Sequence, residues 1–419
     1  MRSRLILFVA LLFAVPLFAQ KHTVARIEVV GSVPAGIVKS QSTLEAGHSY
    51  SDKDLELAMA RLRRLPFVFD ARYTIDGETL VIDIDGMSRL FADVVGSGVG
   101  YDDYETGFAS LGGGGRLFLG SGGVAEGHAA QTVAEGGADS TVADAQYSHY
   151  GIGGTPLYAT ASVSQSFRNE AGFDPDPTLH FAVGYPLTLR QTLSASVTDS
   201  GYESRFSFPI IDTLTIVSRG DSRVFDLRWT WDTSEDPFFA RNGLTINAGP
   251  SWSEGVFVSE NIGPGLPGFP GPIVPTVIRS ETNSTSLGVD ARKFWATGNR
   301  GAVFTALGLA RTHFEVEQSD VIFPLPDFEA DSNSASATLG YAHNLFDRST
   351  NASTRQRLEF GVTYNYQEVD QPFDFDASDD ATSLHAAYVL RRHFATVRLN
   401  LSYTFEESGL QPQMPADPF

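Results

Sequence analysis

The sequence predicts a mainly β protein: a transmembrane antiparallel β-barrel preceded by one small α+β domain. Three observations predict it. Across residues 90–405 apolar and polar residues alternate with a period of two, interrupted by Gly, Asn, Asp and Pro. Apolar residues make up 42% of the 419, yet they are dispersed and the mean hydropathy is only −0.09. A barrel strand shows lipid only one of its faces, so its hydropathy averages near zero. Only residues 22–86 carry a helical period. A secreted β-solenoid or sandwich would share the composition, so the alternation carries the argument.

The chain opens on Met1-Arg2-Ser3-Arg4, an apolar run over 5–18, and Ala19-Gln20-Lys21. A basic start, a short apolar core and a small residue at the cut predict a secretory signal peptide over 1–20. The run is shorter than the roughly 20 residues a spanning helix needs. Val24, Ile27 and Val29 then alternate with polar residues up to Gly31, which predicts a strand, and 34–42 suits a short helix. Ser51 with Asp54 three positions later reads as a helix N-cap, and Leu55, Ala58, Met59, Leu62 and Leu65 follow at helical spacing until Pro66. Strands over 67–75 and 80–84 are joined across Asp76-Gly77, a strong hairpin turn.

Fifteen alternating runs follow: 91–101, 107–118, 124–133, 141–150, 157–167, 179–185, 192–200, 224–231, 244–252, 286–295, 302–314, 334–346, 356–366, 383–390 and 396–405. Bacterial single-chain barrels have even strand numbers, so either one strand is missed or one hairpin is wrongly split, the weakest spots being 206–216 and the Arg391-Arg392-His393 break. The connections at 187–191 and 297–300 are short and polar, as on a periplasmic side. Those at 203–222, 254–285 and 315–333 are long, as on an outer side. The Gly- and Pro-rich stretch 263–275 reads as a loop.

Between two of these runs lies Trp231-Asp232-Thr233-Ser234-Glu235-Asp236-Pro237-Phe238-Phe239-Ala240-Arg241-Asn242-Gly243. It is similar to the D-x-R-x-D-P-x-x-P-x-x-G turn of outer-membrane barrels in the BamA/TamA insertase and two-partner secretion translocator superfamily. Asp232, Asp236, Pro237 and Gly243 carry the match; Ser234 stands where that family has Arg, and Ala240 where it often has Pro. The β-α-α-β-β order of 22–86 resembles a POTRA domain, with Ile27–Gly31, Leu44-Glu45-Ala46-Gly47 and Leu62-Arg63-Arg64-Leu65-Pro66-Phe67 in the family's places. The resemblance implies a POTRA-like periplasmic domain over 22–86, an outer-membrane barrel of about sixteen strands, with fourteen as the fallback, over 89–405, and a tail over 406–419. It implies a protein that assists insertion or translocation of polypeptides. Its partners would be unfolded outer-membrane or secreted polypeptides, outer-membrane lipid and lipopolysaccharide, and a periplasmic protein at the POTRA-like domain. The superfamily has a weak seam between first and last strands, and here the first two strands hold Gly96, Gly98, Gly100, Gly112, Gly113, Gly114 and Gly115. These glycines either weaken the seam so that it can gate, or relieve crowding in a tilted barrel. The family's V-R-G-F/Y loop motif is missing from 315–333. That departure supports the alternative, a passive pore or surface-antigen barrel without insertase activity.

The remaining signals exclude rather than assign. There is no Cys, hence no disulfide staple or thiolate metal site. A net charge of −20 argues against nucleic-acid binding. The nine His are scattered, and no H-E-x-x-H, G-x-S-x-G or P-loop pattern occurs. No enzyme activity, cofactor or metal is expected.

Overall fold

A computed structural model describes residues 21–101, 104–134, 139–168, 173–207, 215–236, 238–262, 277–320, 327–345, 354–370 and 377–406. The signal-peptide expectation for 1–20, the tail beyond Glu406 and Pro237 lie outside them.

Two short strands, β1 (Lys21–Val24) and β3 (His48–Ser51), pair as a ribbon. Strand β2 (Arg26–Gly31) runs parallel to β5 (Thr79–Gly86), which pairs antiparallel with β4 (Val68–Asp76), giving the order β2-β5-β4. Helices α1 (Ala35–Ser42) and α2 (Asp52–Arg63) cover that sheet. The predicted cap is present: Asp54 N–H donates to Ser51 Oγ, and the Asp54 carboxylate accepts from Ser51 N–H, each at 3.2 Å. Leu55, Ala58, Met59 and Leu62 bury one face of α2 against Ile37, Leu80, Ile82 and Ile84. Gly31 must be glycine. Its φ is +128°, and a Cβ there would stand 2.0 Å from the Ile84 carbonyl oxygen.

The remainder is a closed barrel. Its first strands are β6 (Leu90–Tyr101), β7 (Tyr104–Leu119), β8 (Gly123–Ala134), β9 (Ser140–Tyr150) and β10 (Tyr158–Arg168). Next come β11 (Phe173–Pro175), β12 (Thr178–Pro186), β13 (Gln191–Ser207), β14 (Thr215–Asp232) and β15 (Gly243–Ile262). Then follow β16 (Val277–Thr297), β17 (Gly301–Asp320), β18 (Phe328–Asn344), β19 (Thr354–Asp370), β20 (Ala377–Arg392) and β21 (Ala395–Glu406). The three-residue β11 only adds to β13 above β12, so fifteen strands close the ring.

Fifteen corrects the expected sixteen. Every predicted run is one strand, and among the described residues 206–216 holds only the ends of β13 and β14 and 391–393 only the end of β20. The even-number rule fails because the ring closes differently: fourteen junctions are antiparallel, and β21 meets β6 parallel, from Ala395↔Ala92 to Thr404↔Tyr101. An odd number of up-and-down strands leaves first and last pointing the same way. Glu406 therefore lies at the barrel end opposite the N-terminal α/β unit.

Alternation sorts the side chains. Leu307, Leu309, Leu339, Leu401, Phe360 and Leu287 face outward and stay more than half exposed. A closed ring of hydrogen-bonded strands with an apolar outside is a membrane-spanning structure. Among the described residues no helix is long and apolar enough to cross a membrane. Above the apolar band the outward positions become charged, as in Arg223 with Asp199 at 2.6 Å and Arg311 with Asp331 at 3.0 Å. Strands β13 to β20 continue past that level. The long outer connections expected at 203–222, 254–285 and 315–333 are largely strand.

Candidate functional site

The stretch between β14 and β15 folds back into the barrel mouth on the side of the α/β unit. Asp232 Oδ1 accepts the Ser234 N–H at 2.7 Å, and Asp236 Oδ1 accepts the N–H groups of Phe238 and Phe239, each at 3.0 Å. Gly243 closes the turn at φ +126°; a Cβ there would lie 2.3 Å from Ser234 Cα. The barrel wall grips the same turn: Arg357 donates to the Ala240 carbonyl at 2.7 Å and Asn344 to the Phe239 carbonyl at 3.1 Å. Arg357 and Arg292 share Glu359, at 2.5 and 2.9 Å, deep in the lumen.

The α/β unit docks on this turn through the end of α2. Arg63, 1% exposed, donates to Asp70 at 3.1 Å, to the Ala71 carbonyl at 2.6 Å and to the Glu235 carbonyl at 3.0 Å. Arg64 pairs with Asp232 at 2.5 Å. Arg355 of β19 bridges Asp70 and Asp236, at 2.9 and 3.1 Å. Arg391 of β20 donates to the Val68 carbonyl at 2.8 Å and lies over the Phe238 ring at 4.4 Å. Across the mouth, Phe67 meets Phe118 and Tyr150 edge-on at 5.5 and 5.6 Å, and Gln41 donates to the Pro156 carbonyl at 3.0 Å. Contacts reach strands on opposite sides of the ring, so the unit lies across the mouth and closes it.

Electrostatics hold these groups charged. Burial pushes the Arg61 guanidinium down to about 10, which leaves it cationic at neutral pH, and lowers Arg63 as well against the opposing pull of Asp236 and Asp70. Burial opposes ionisation of Asp70, but the Arg355 and Arg63 guanidinium groups outweigh it and hold the carboxyl below its usual 3.8.

The second cluster is the seam. Gly96, Gly98 and Gly100 point outward from β6, where Cβ atoms would meet Leu399, Leu401 and Tyr403 of β21 at 3.0, 3.1 and 2.9 Å. The last strand leans its apolar side chains into the groove these glycines leave. Gly112 and Gly114 point inward. A Cβ on Gly112 would meet His128 at 2.5 Å, and one on Gly114 the Phe91 ring at 2.6 Å, whereas Gly113 and Gly115 have 3.3 Å or more. His128 bridges Asp93 at 2.7 Å and Asp144 at 3.0 Å.

The structure therefore brings Asp232, Asp236 and Gly243 together at the mouth and the seven glycines together beside the seam. Sequence reasoning missed Arg63, Arg64, Asp70, Arg355, Arg357, Glu359 and Arg391. One signal was readable: Arg355, Arg357 and Glu359 alternate along a strand whose other face is apolar, so their charges must point inward. Arg63 and Asp70 are near neighbours in the chain, but the partners that Arg64, Arg355 and Arg391 meet across the mouth lie more than a hundred residues away.

Fold and site together define a membrane-spanning barrel with an α/β unit seated in one mouth. No protein-family model matches the chain, and no curated protein matches it. Among solved structures it is similar to BamA from Haemophilus ducreyi lacking POTRA domains 1–3, with 10% identity, TM-score 0.37, and 92% of this chain and 85% of that one covered. It is also similar to CdiB from Acinetobacter baumannii, with 12% identity, TM-score 0.35, and 88% and 68% covered. A third is the siderophore receptor PiuA from Acinetobacter baumannii, with 11% identity, TM-score 0.38, and 90% and 67% covered.

Proposed function

We propose that this is an outer-membrane barrel that assists insertion or translocation of polypeptides, with the α/β unit as a POTRA-like module in the periplasm. One observation carries the reading. Among the described residues β2 pairs only with β5 and leaves a free sheet edge, with Val30 54% exposed, on a unit fixed at the barrel mouth. A free edge can take an extended polypeptide as an added strand, with main-chain hydrogen bonds supplying the affinity. Client chain would be collected there and passed to the membrane, where pairing of its strands and burial of apolar surface in lipid supply the driving force. No cofactor is needed.

The second reading, a passive pore or surface-antigen barrel, is favoured by the seam. Its register runs unbroken over ten residue pairs, and its glycine groove is filled. Depleting the protein in its host and quantifying the outer-membrane proteome separates the two. Selective loss of a set of barrels or secreted proteins with unchanged transcripts supports polypeptide handling. An unchanged proteome supports the second reading.

A further inference from the structure

The inner wall of the barrel above the apolar band is almost free of charge, and it holds a hollow of about 330 Å³ built on β13 to β16. The register explains its shape. One row across the wall reads Tyr202, Gly220, Phe257, and the row below reads Ser200, Ser222, Gly255, Thr282. Tyr202 leans its ring over Gly220, where a Cβ would stand 2.5 Å from Tyr202 Cε1. Phe257 flanks the same glycine from the other side. Below them Gly255 forms a floor between the Ser222 and Thr282 hydroxyls, and Ser253, held to Ser284 at 2.7 Å, closes the bottom. Asp221 and Glu254 border the hollow through their backbones, since alternation turns their side chains outward. The next inward charge on these four strands toward the α/β unit is Asp226, four residues along β14 from Ser222.

We propose that this hollow binds a neutral saccharide unit. Two aromatic rings side by side offer flat faces whose negative quadrupole attracts the polarised C–H groups of a sugar ring. Each Ser and Thr hydroxyl both donates and accepts, which matches sugar hydroxyls that do the same. With no inward carboxylate or guanidinium lining it, the hollow gives an anionic or cationic ligand no partner. Its volume lies at the lower end of the range for small-molecule pockets. Its level also fits: the outward ion pair Arg223–Asp199 sits on the adjoining row, so the hollow lies just beyond the apolar band, in the compartment opposite the α/β unit. The inference is independent of whether the protein handles polypeptides.

The test is titration of the refolded full chain, in a detergent without a sugar headgroup, with maltotriose and with a sulfated trisaccharide. Saturation-transfer NMR and calorimetry give the readouts, and heat-shifted gel migration confirms folding of every variant. Saturable binding of maltotriose is expected, with at least a tenfold weaker response to the sulfated sugar. Phe257→Ala should weaken binding at least tenfold. Gly255→Val should do the same by filling the floor, because its Cβ would stand 2.7 Å from Thr282 Oγ1. Tyr202→Ala replaces either variant if one does not fold. No saturable binding by the native chain, or equal binding by the folded variants, overturns the proposal.

Discussion

Two junctions hold this molecule shut, and they are built from opposite materials. The β6–β21 seam is backbone and apolar packing: ten register pairs, with Leu399, Leu401 and Tyr403 seated over Gly96, Gly98 and Gly100. The mouth junction is charge: Arg64 tied to Asp232, and Arg355 to Asp70 and Asp236, in a largely buried network that Arg63 joins by donating to the Glu235 carbonyl. The difference teaches where each is vulnerable. In lipid an unpaired backbone group costs several kcal/mol, so ten pairs resist opening collectively and no single side chain decides the outcome. At the mouth a few side chains decide everything, because removing one partner leaves a buried charge uncompensated.

The sharpest way to break the comparison is therefore at the mouth. Arg355→Ala removes the barrel-wall guanidinium that ties Asp70 of the unit to Asp236 of the turn, and should destabilise docking of the α/β unit by about 3–5 kcal/mol, as for loss of one partner of a buried pair. Urea titration followed by limited proteolysis between residues 86 and 90 reads it, and an unchanged midpoint contradicts the network's importance. The seam should yield less. Gly98→Val puts a Cβ 3.1 Å from Cδ2 of Leu401, an outward side chain free to turn aside, so the temperature of the heat-induced gel shift should fall only slightly.

Acid offers a smaller, graded probe of the mouth. Asp70 is depressed in the folded state, so its contribution is fully present above its unfolded value and is lost only as pH falls through the lower folded value. Docking should survive from neutral pH to about pH 4, near the unfolded Asp value, and weaken below that. Asp70→Asn should remove this dependence, with pepsin sensitivity as the measure. Smallest of all is Arg223→Ala. Its ion pair with Asp199 is solvent-exposed on the outer wall, so neither docking nor the gel shift should change.

Much of the fold was legible. All fifteen strand runs, the capped helix α2 and the Asp76-Gly77 hairpin were readable because each rests on local periodicity or turn chemistry. Strand lengths were not. The run predicted at 286–295 is Val277–Thr297, because beyond the apolar band Arg279, Glu281 and Asn283 on the outer face alternate with Ser280, Thr282 and Ser284 on the inner one, and alternation of hydropathy vanishes. Closure was not legible either, since the parity of a ring is a global property and the even-number rule displaced a correct count. The ribbon of β1 and β3 is four residues per strand, too short to show a period. At the mouth, Asp232, Asp236 and Gly243 announced a turn, but nothing local announced that Arg63 and Arg64 would meet it.

The central claim is that the α/β unit closes the barrel at rest through this charged junction. Single-channel recording of the refolded chain in planar bilayers tests it most directly. A silent native protein is expected, with stable, large conductance steps once Arg355→Ala is introduced. Steady open-channel current through the native protein, equal to that of the variant, would contradict it.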